Sequence, residues 1–99
     1  MLFVLRRDLS DQDSVIKKIL LDVLKPHEPS IIEFAAKLVS IEGVNDVNVT
    51  SVELDQNTES IKILITGDDV NLEGVKSSIE ELGAVIHSVD EVTVTRKLV

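Results

Sequence analysis

The 99-residue chain reads as a single α+β domain in which a strand–helix–glycine–strand unit occurs twice. Three observations carry this. Apolar residues recur at helical spacing over 30–41 and 71–82, and each run ends at a glycine, Gly43 or Gly83. Every second residue is apolar at Ile19, Leu21 and Val23 and at Ile61, Ile63 and Ile65, with a mixed opposite face, which marks strands in 15–24 and 60–66. The segment Ser30 to Gly43 parallels Asn71 to Gly83, and each closing glycine is followed by a small or β-branched apolar residue.

Val15 to Leu24 reads as the first strand. Ile19, Leu21 and Val23 share one face and should meet the helices, while Lys18, Leu20, Asp22 and Leu24 share the other. Lys25-Pro26-His27-Glu28-Pro29 should stop this strand, because proline lacks the ladder donor and steers its predecessor away from helix. Ser30 to Ile41 reads as the first helix. Ser30 with Glu33 forms a capping-box pattern, and Ile31, Phe34, Ala35, Leu38 and Ile41 mark the apolar stripe. Val44 to Leu54 reads as a strand with a bulge, since Val47 and Val49 differ in parity from Val52 and Leu54, and a one-residue slip reconciles them. Asp55 to Glu59 is a polar hairpin loop. In the third strand, Ser60 to Thr66, Ile61, Ile63 and Ile65 face the helices and Lys62, Leu64 and Thr66 face away. Asn71 caps the second helix, whose stripe is Leu72, Val75, Ile79 and Leu82. Ala84 to Thr95 is the last strand, ahead of a basic Arg96-Lys97.

Duplicated strand–helix–strand halves are the ferredoxin-like βαββαβ plan: an antiparallel four-stranded sheet with two helices on one face. Crossover handedness places strands one and three side by side and parallel at its centre, with strand four beside strand one. The domain spans 15–96, and residues 1–14 form an N-terminal extension. Within that extension Leu2 to Leu5 is apolar and Asp8 to Ser14 is linker-like. Two readings stay open: a loosely ordered extension, or an added edge strand or arm packing on a neighbouring subunit.

Composition excludes several functions. The chain has no cysteine, so disulfides, thiolate metal sites and a cysteine nucleophile are out, and a reducing cytoplasm is the expected setting. Ten basic residues stand against 18 acidic ones, a net charge of −8, which disfavours phosphate backbones and anionic membranes. Apolar runs are too short to span a bilayer, and the order of Met1–Leu5 before Arg6-Arg7 is not that of a secretory signal. Base stacking needs aromatics on the central strands, where the open face instead carries Leu20, Asp22, Lys62 and Leu64. An acylphosphatase-type cradle needs arginine in the first turn. Gly67 and Gly74 sit in no phosphate-loop pattern, and His87 and Ser88, adjacent on a strand, should point to opposite faces.

Some surfaces remain as candidates. Leu20, Leu24 and Leu64 on the open sheet face form a candidate oligomer interface, weighed against scattered surface leucines, which are ordinary. Asp22, Lys25, His27, Glu28 and His87 are candidate ligand-binding residues. Asp22, His87, Asp90 and Glu91 are candidate ligands for a divalent cation, calcium or magnesium, although His87 and Asp90 share a face only if their strand bends. The alternative is a satisfied histidine beside a solvated acidic edge. Asp68-Asp69 most simply supplies favourable charge near a helix start.

The stretches Ile19 to Pro29, Glu42-Gly43-Val44 and Ile86 to Val92, in this order and spacing, resemble a small archaeal family known as a domain of unknown function, number two hundred and eleven. The resemblance covers about residues 16–93 and matches the family at Asp22, Lys25, Pro26, His27, Pro29, His87, Asp90 and Glu91. It implies a ferredoxin-like fold, ring-like homo-oligomers and candidate divalent-cation binding, and it implies no activity. The 1–14 extension departs from that family's short start. The expectation is therefore a non-enzymatic, oligomeric ligand- or cation-binding regulatory module without nucleic-acid or membrane partners. The alternatives are an interaction adaptor, and a small enzyme using His87 or His27 as base beside Asp22 or Glu91.

Overall fold

The computed structural model describes residues 13–97. Residues 1–12, and with them nearly all of the expected extension, lie outside the described residues. The elements follow in the order β1 (Ser14–Pro26), α1 (Ile31–Val39), β2 (Val44–Leu54), β3 (Thr58–Gly67), α2 (Leu72–Glu81) and β4 (Val85–Arg96). The sheet has four strands in the order β2-β3-β1-β4, and the fold is the ferredoxin-like α+β arrangement expected.

One part of the expected topology is corrected. β1 and β3 are central neighbours, but they run antiparallel, with Ile19 opposite Ile65, Leu21 opposite Ile63 and Val23 opposite Ile61. The reason is connectivity. A helical crossover makes β1 and β2 parallel to each other, and β3, returning from β2 through a tight hairpin and inserting between them, must oppose both.

The core forms where these central strands meet the helices. Leu21, Ile61, Ile63 and Ile65 are fully buried, as are Phe34 and Leu38 of α1 and Val75 and Ile79 of α2. Ile31, Ile41, Leu72 and Leu82 pack against this cluster at the ends of the two helical stripes. Ser30 caps α1 in a closed capping box: its Oγ accepts from the Glu33 N–H, and Glu33 Oε1 accepts from the Ser30 N–H. Asn71 caps α2 by accepting from the Gly74 N–H. Gly43, past the end of α1, has a φ of 85°, and a Cβ there would overlap the Asp69 carbonyl, so this turn needs glycine twice over.

Strand ends and bulges depart from the simplest reading. β1 runs on to Pro26, because its ladder with β3 continues through Lys25 opposite Glu59 and Pro26 opposite Thr58. Proline sits on the last rung, where its missing donor costs least. The bulge expected in β2 falls between Ser51 and Glu53, which face Ile61 and Ser60. The slip brings Leu54 opposite Glu59, yet Val52 and Leu54 stay exposed, beyond the reach of the helices.

Truncating Ile63, fully buried in the core cluster, to alanine should cost about 2–5 kcal/mol in a urea unfolding series. Val52→Ala, on the exposed bulge, should stay within about 0.5 kcal/mol of the parent.

Candidate functional site

The sheet face away from the helices carries the candidate site. Leu20 of β1 lies opposite Leu64 of β3, one rung from Asp22 opposite Lys62 and two from Leu24 opposite Ser60. β4 borders this face irregularly, with register shifts against β1 between Leu20 and Leu21 and between Asp22 and Val23. Those shifts leave Asp90 and His87 as the extra residues of β4, and they supply the bend that the sequence alone required for the pair. His87 lines a shallow depression of about 280 Å³ with Asp22, Leu24 and Ser60. Asp90 instead meets Lys62.

Lys62 holds the polar centre of this face. Its ammonium pairs with Asp90 Oδ2 and stands 3.8 Å from Asp22 Oδ2. Ser88 Oγ donates to the other Asp90 oxygen at 2.7 Å. The hydrogen bond from Lys62, and then that from Ser88, hold the Asp90 carboxyl below its usual range, and the bond to Asp90 raises Lys62 in return. Glu91 is drawn elsewhere, to Lys18 Nζ at 2.9 Å. Of the residues expected to bind a cation, then, Asp22 and Asp90 are linked through a lysine, His87 lies beside Asp22 in the depression, and Glu91 pairs separately. Among the described residues no three His, Asp or Glu side chains come together in a way that would hold a metal ion. Within one chain the set does not fit a divalent cation. The Lys62 ammonium stands between the Asp22 and Asp90 carboxylates and offsets one of their two charges.

His87 is exposed and makes no side-chain hydrogen bond among the described residues.

Lys25 and His27 form a second, separate group at the end of β1. Lys25 continues the parity of Ile19, Leu21 and Val23 and is fully buried. Its Nζ donates to the carbonyl oxygens of Pro26 at 2.7 Å and His27 at 3.3 Å, stands 3.6 Å from Glu59 Oε2, and lies 5.5 Å from the Phe34 ring centre. A buried ammonium so enclosed is a structural cation, stabilised by two carbonyls, a carboxylate and an aromatic face. It is closed to a ligand in this arrangement. His27 reaches the same Glu59 oxygen and the Gln56 carbonyl from the outer side. Glu28 is exposed in the loop that follows, ahead of a cis Glu28–Pro29 peptide.

A wider depression lies between the α1–β2 turn and the start of α2, lined by Glu42, Gly43, Asp69 and Asn71 among others. Asp68 and Asp69 precede the helix here, and Asn71 rather than either aspartate makes the cap bond.

Sequence reasoning missed Glu59, Lys62, Ser60 and Ser88. Glu59 read as loop, although extending β1 by two residues would have placed Lys25 on the core face and demanded a buried counter-charge. Lys62 appeared only as a solvent-facing residue of β3. Its bond to Asp90 depends on the β1–β4 bulges, which no local pattern announces.

An antiparallel ferredoxin-like sheet with a lysine–carboxylate cluster on its open face defines an α+β domain of a widely reused architecture. A family model described as "Uncharacterized ArCR" (DUF211) matches residues 17–99, and the chain belongs to this family. It is also similar to the uncharacterized protein MJ0319 of Methanocaldococcus jannaschii, with 43% identity over 84 residues covering 85% of this chain and 87% of the relative.

Two outcomes test the site chemistry. The Asp90 carboxyl should titrate below 3.8 by NMR, and Lys62→Gln should move it back up. Because the folded-state value is depressed, its contribution to stability is present above the unfolded value and is lost as pH falls through the folded one. Lys25→Ala should destabilise the fold by about 3–5 kcal/mol in chemical denaturation, because it leaves Glu59 with only the outer His27 contact and opens a cavity. Lys25→Met, which keeps the stem, should cost less.

Proposed function

We propose that this protein is a non-enzymatic binding module that works as a homo-oligomer. The observation that carries this reading is the apolar surface of β4 that the other described residues leave exposed. Val85, Val89, Val92 and Val94 are 64%, 53%, 51% and 54% exposed, on a strand at the edge of the sheet. Val89, Val92 and Val94 lie opposite Leu21, Ile19 and Ile16, the helix-facing residues of β1, but no helix extends far enough to cover them. A 12-residue edge strand with no further strand beside it among the described residues, carrying exposed valines, is a surface suited to being covered by a neighbour. Leu20 and Leu64 add an apolar patch on the open face.

A small ligand would sit in the depression formed by Asp22, Leu24, Ser60 and His87, whose walls are more apolar than polar and carry a carboxylate, a hydroxyl and an imidazole. A divalent cation there would have to displace Lys62 and draw further oxygen ligands, Glu91 among them, from a neighbouring copy. The cysteine-free composition supports a cytoplasmic setting, and among the described residues no helix is long and apolar enough to cross a membrane. His27, with both ring nitrogens engaged, and His87, with no partner among the described residues, support the non-enzymatic reading.

Native mass spectrometry after chelation, with and without added calcium or magnesium, tests this. A discrete oligomer that Val92→Lys or Val94→Lys dissociates is expected. Mass increments of whole cations per subunit would support the cation, and unchanged masses would remove it. A monomer at every concentration would overturn the reading and leave the same valines as a surface for a different protein.

A further inference from the structure

We infer that His27 is a proton-operated latch that ties the β1–α1 loop to the tip of the β2–β3 hairpin, closed when the ring is doubly protonated and loosened when it is neutral. The geometry carries the argument. Nε2 faces the Gln56 carbonyl oxygen at 3.0 Å, and Nδ1 faces Glu59 Oε2 at 3.4 Å. Both neighbours accept hydrogen bonds and neither can donate. A neutral imidazole carries one N–H and one bare lone pair, so it satisfies one neighbour and points a lone pair at the other. Only the imidazolium donates to both.

The surroundings suit this task. The ring is 42% exposed, so protons exchange freely with solvent. Gln56 belongs to the hairpin turn, where the Asp55 N–H also bonds the Thr58 carbonyl at 2.8 Å, and His27 belongs to the loop that leads into α1. The ring therefore joins segments 29 residues apart in sequence.

The charged groups that face the ring are few. Glu59 on β3 is only 15% exposed and shares its Oε2 between His27 and the buried ammonium of Lys25 on β1. The Asp55 peptide adds a further acceptor on the hairpin side. The Gln56 carbonyl, then the Glu59 carboxylate, raise the His27 pKa above its usual 6.5. With the folded value raised, the latch contributes its full stability below the unfolded value and loses it as pH rises through the folded one. Glu59 stays paired with Lys25 throughout, so the core is retained while the hairpin tip is held by one contact fewer. The latch does not depend on the oligomer or on the ligand-binding reading.

The test is an NMR titration of the wild-type chain, with His27 assigned by its loss in H27Q. It is combined with amide exchange of Asp55 to Thr58 measured from about pH 6 to about pH 8 and corrected for intrinsic base catalysis. Expected are a His27 midpoint above 6.5, an acid form protonated on both nitrogens, and hairpin protection that falls severalfold as the ring deprotonates. In H27Q, whose amide does not titrate, that protection should be flat with pH. A His27 midpoint at or below 6.5, or an unchanged pH profile in H27Q, would overturn the latch. Should H27Q fail to fold, the wild-type titration and exchange profiles decide it by themselves.

Discussion

The antiparallel contact between β1 and β3 is the constraint on which the other features depend. Its rungs place Ile19, Leu21 and Val23 directly against Ile65, Ile63 and Ile61, all on the face the helices cover. The opposite parity carries Lys18, Leu20, Asp22 and Leu24 against Thr66, Leu64, Lys62 and Ser60. A slip of one residue would drive Lys62 into the core and Ile63 into water, so burial locks the register. Locking the register in turn delivers Lys62 to Asp22 and Glu59 to Lys25. The polar cluster of the open face and the buried ion pair are thus by-products of one hydrophobic alignment.

The same ladder explains why a lysine is tolerated at full burial. Lys25 lies on the rung next to the end of the β1–β3 pairing, where the chain turns toward α1 and two peptide carbonyls face inward. Carbonyl oxygens, the Glu59 carboxylate and the Phe34 face replace the hydration shell that the ammonium gives up. The ion pair and the nearby His27 contacts also tie the hairpin tip, far along the chain, to the start of the first helix.

The helix layer and the sheet differ in width. α1 and α2 cover the central strands, and among the described residues the valines of β4 are left exposed on an edge that no other strand pairs. This mismatch, more than any side-chain chemistry, directs the functional reading toward association. The chemistry of the open face points the same way. Its carboxylates Asp22, Asp90 and Glu91 are held by Lys62 and Lys18, and with Leu20 and Leu64 they give it a mixed polar and apolar surface.

By itself the sequence determined the elements, the faces they bury and the caps that bound them. Alternation, helical periodicity, the Ser30–Glu33 box and the stopping glycines are local signals, and each depends on residues within a few positions of one another. It also showed that β2 needs a bulge. Only the tertiary structure decided that β1 and β3 oppose each other, that β1 carries on through Lys25 and Pro26, and that Asp90 turns to Lys62 while Glu91 turns to Lys18. These outcomes rest on pairing between distant strands and on where β4 absorbs its extra residues. A period-two pattern reads the same for either strand direction and on either side of a bulge, so the sequence leaves those choices to packing.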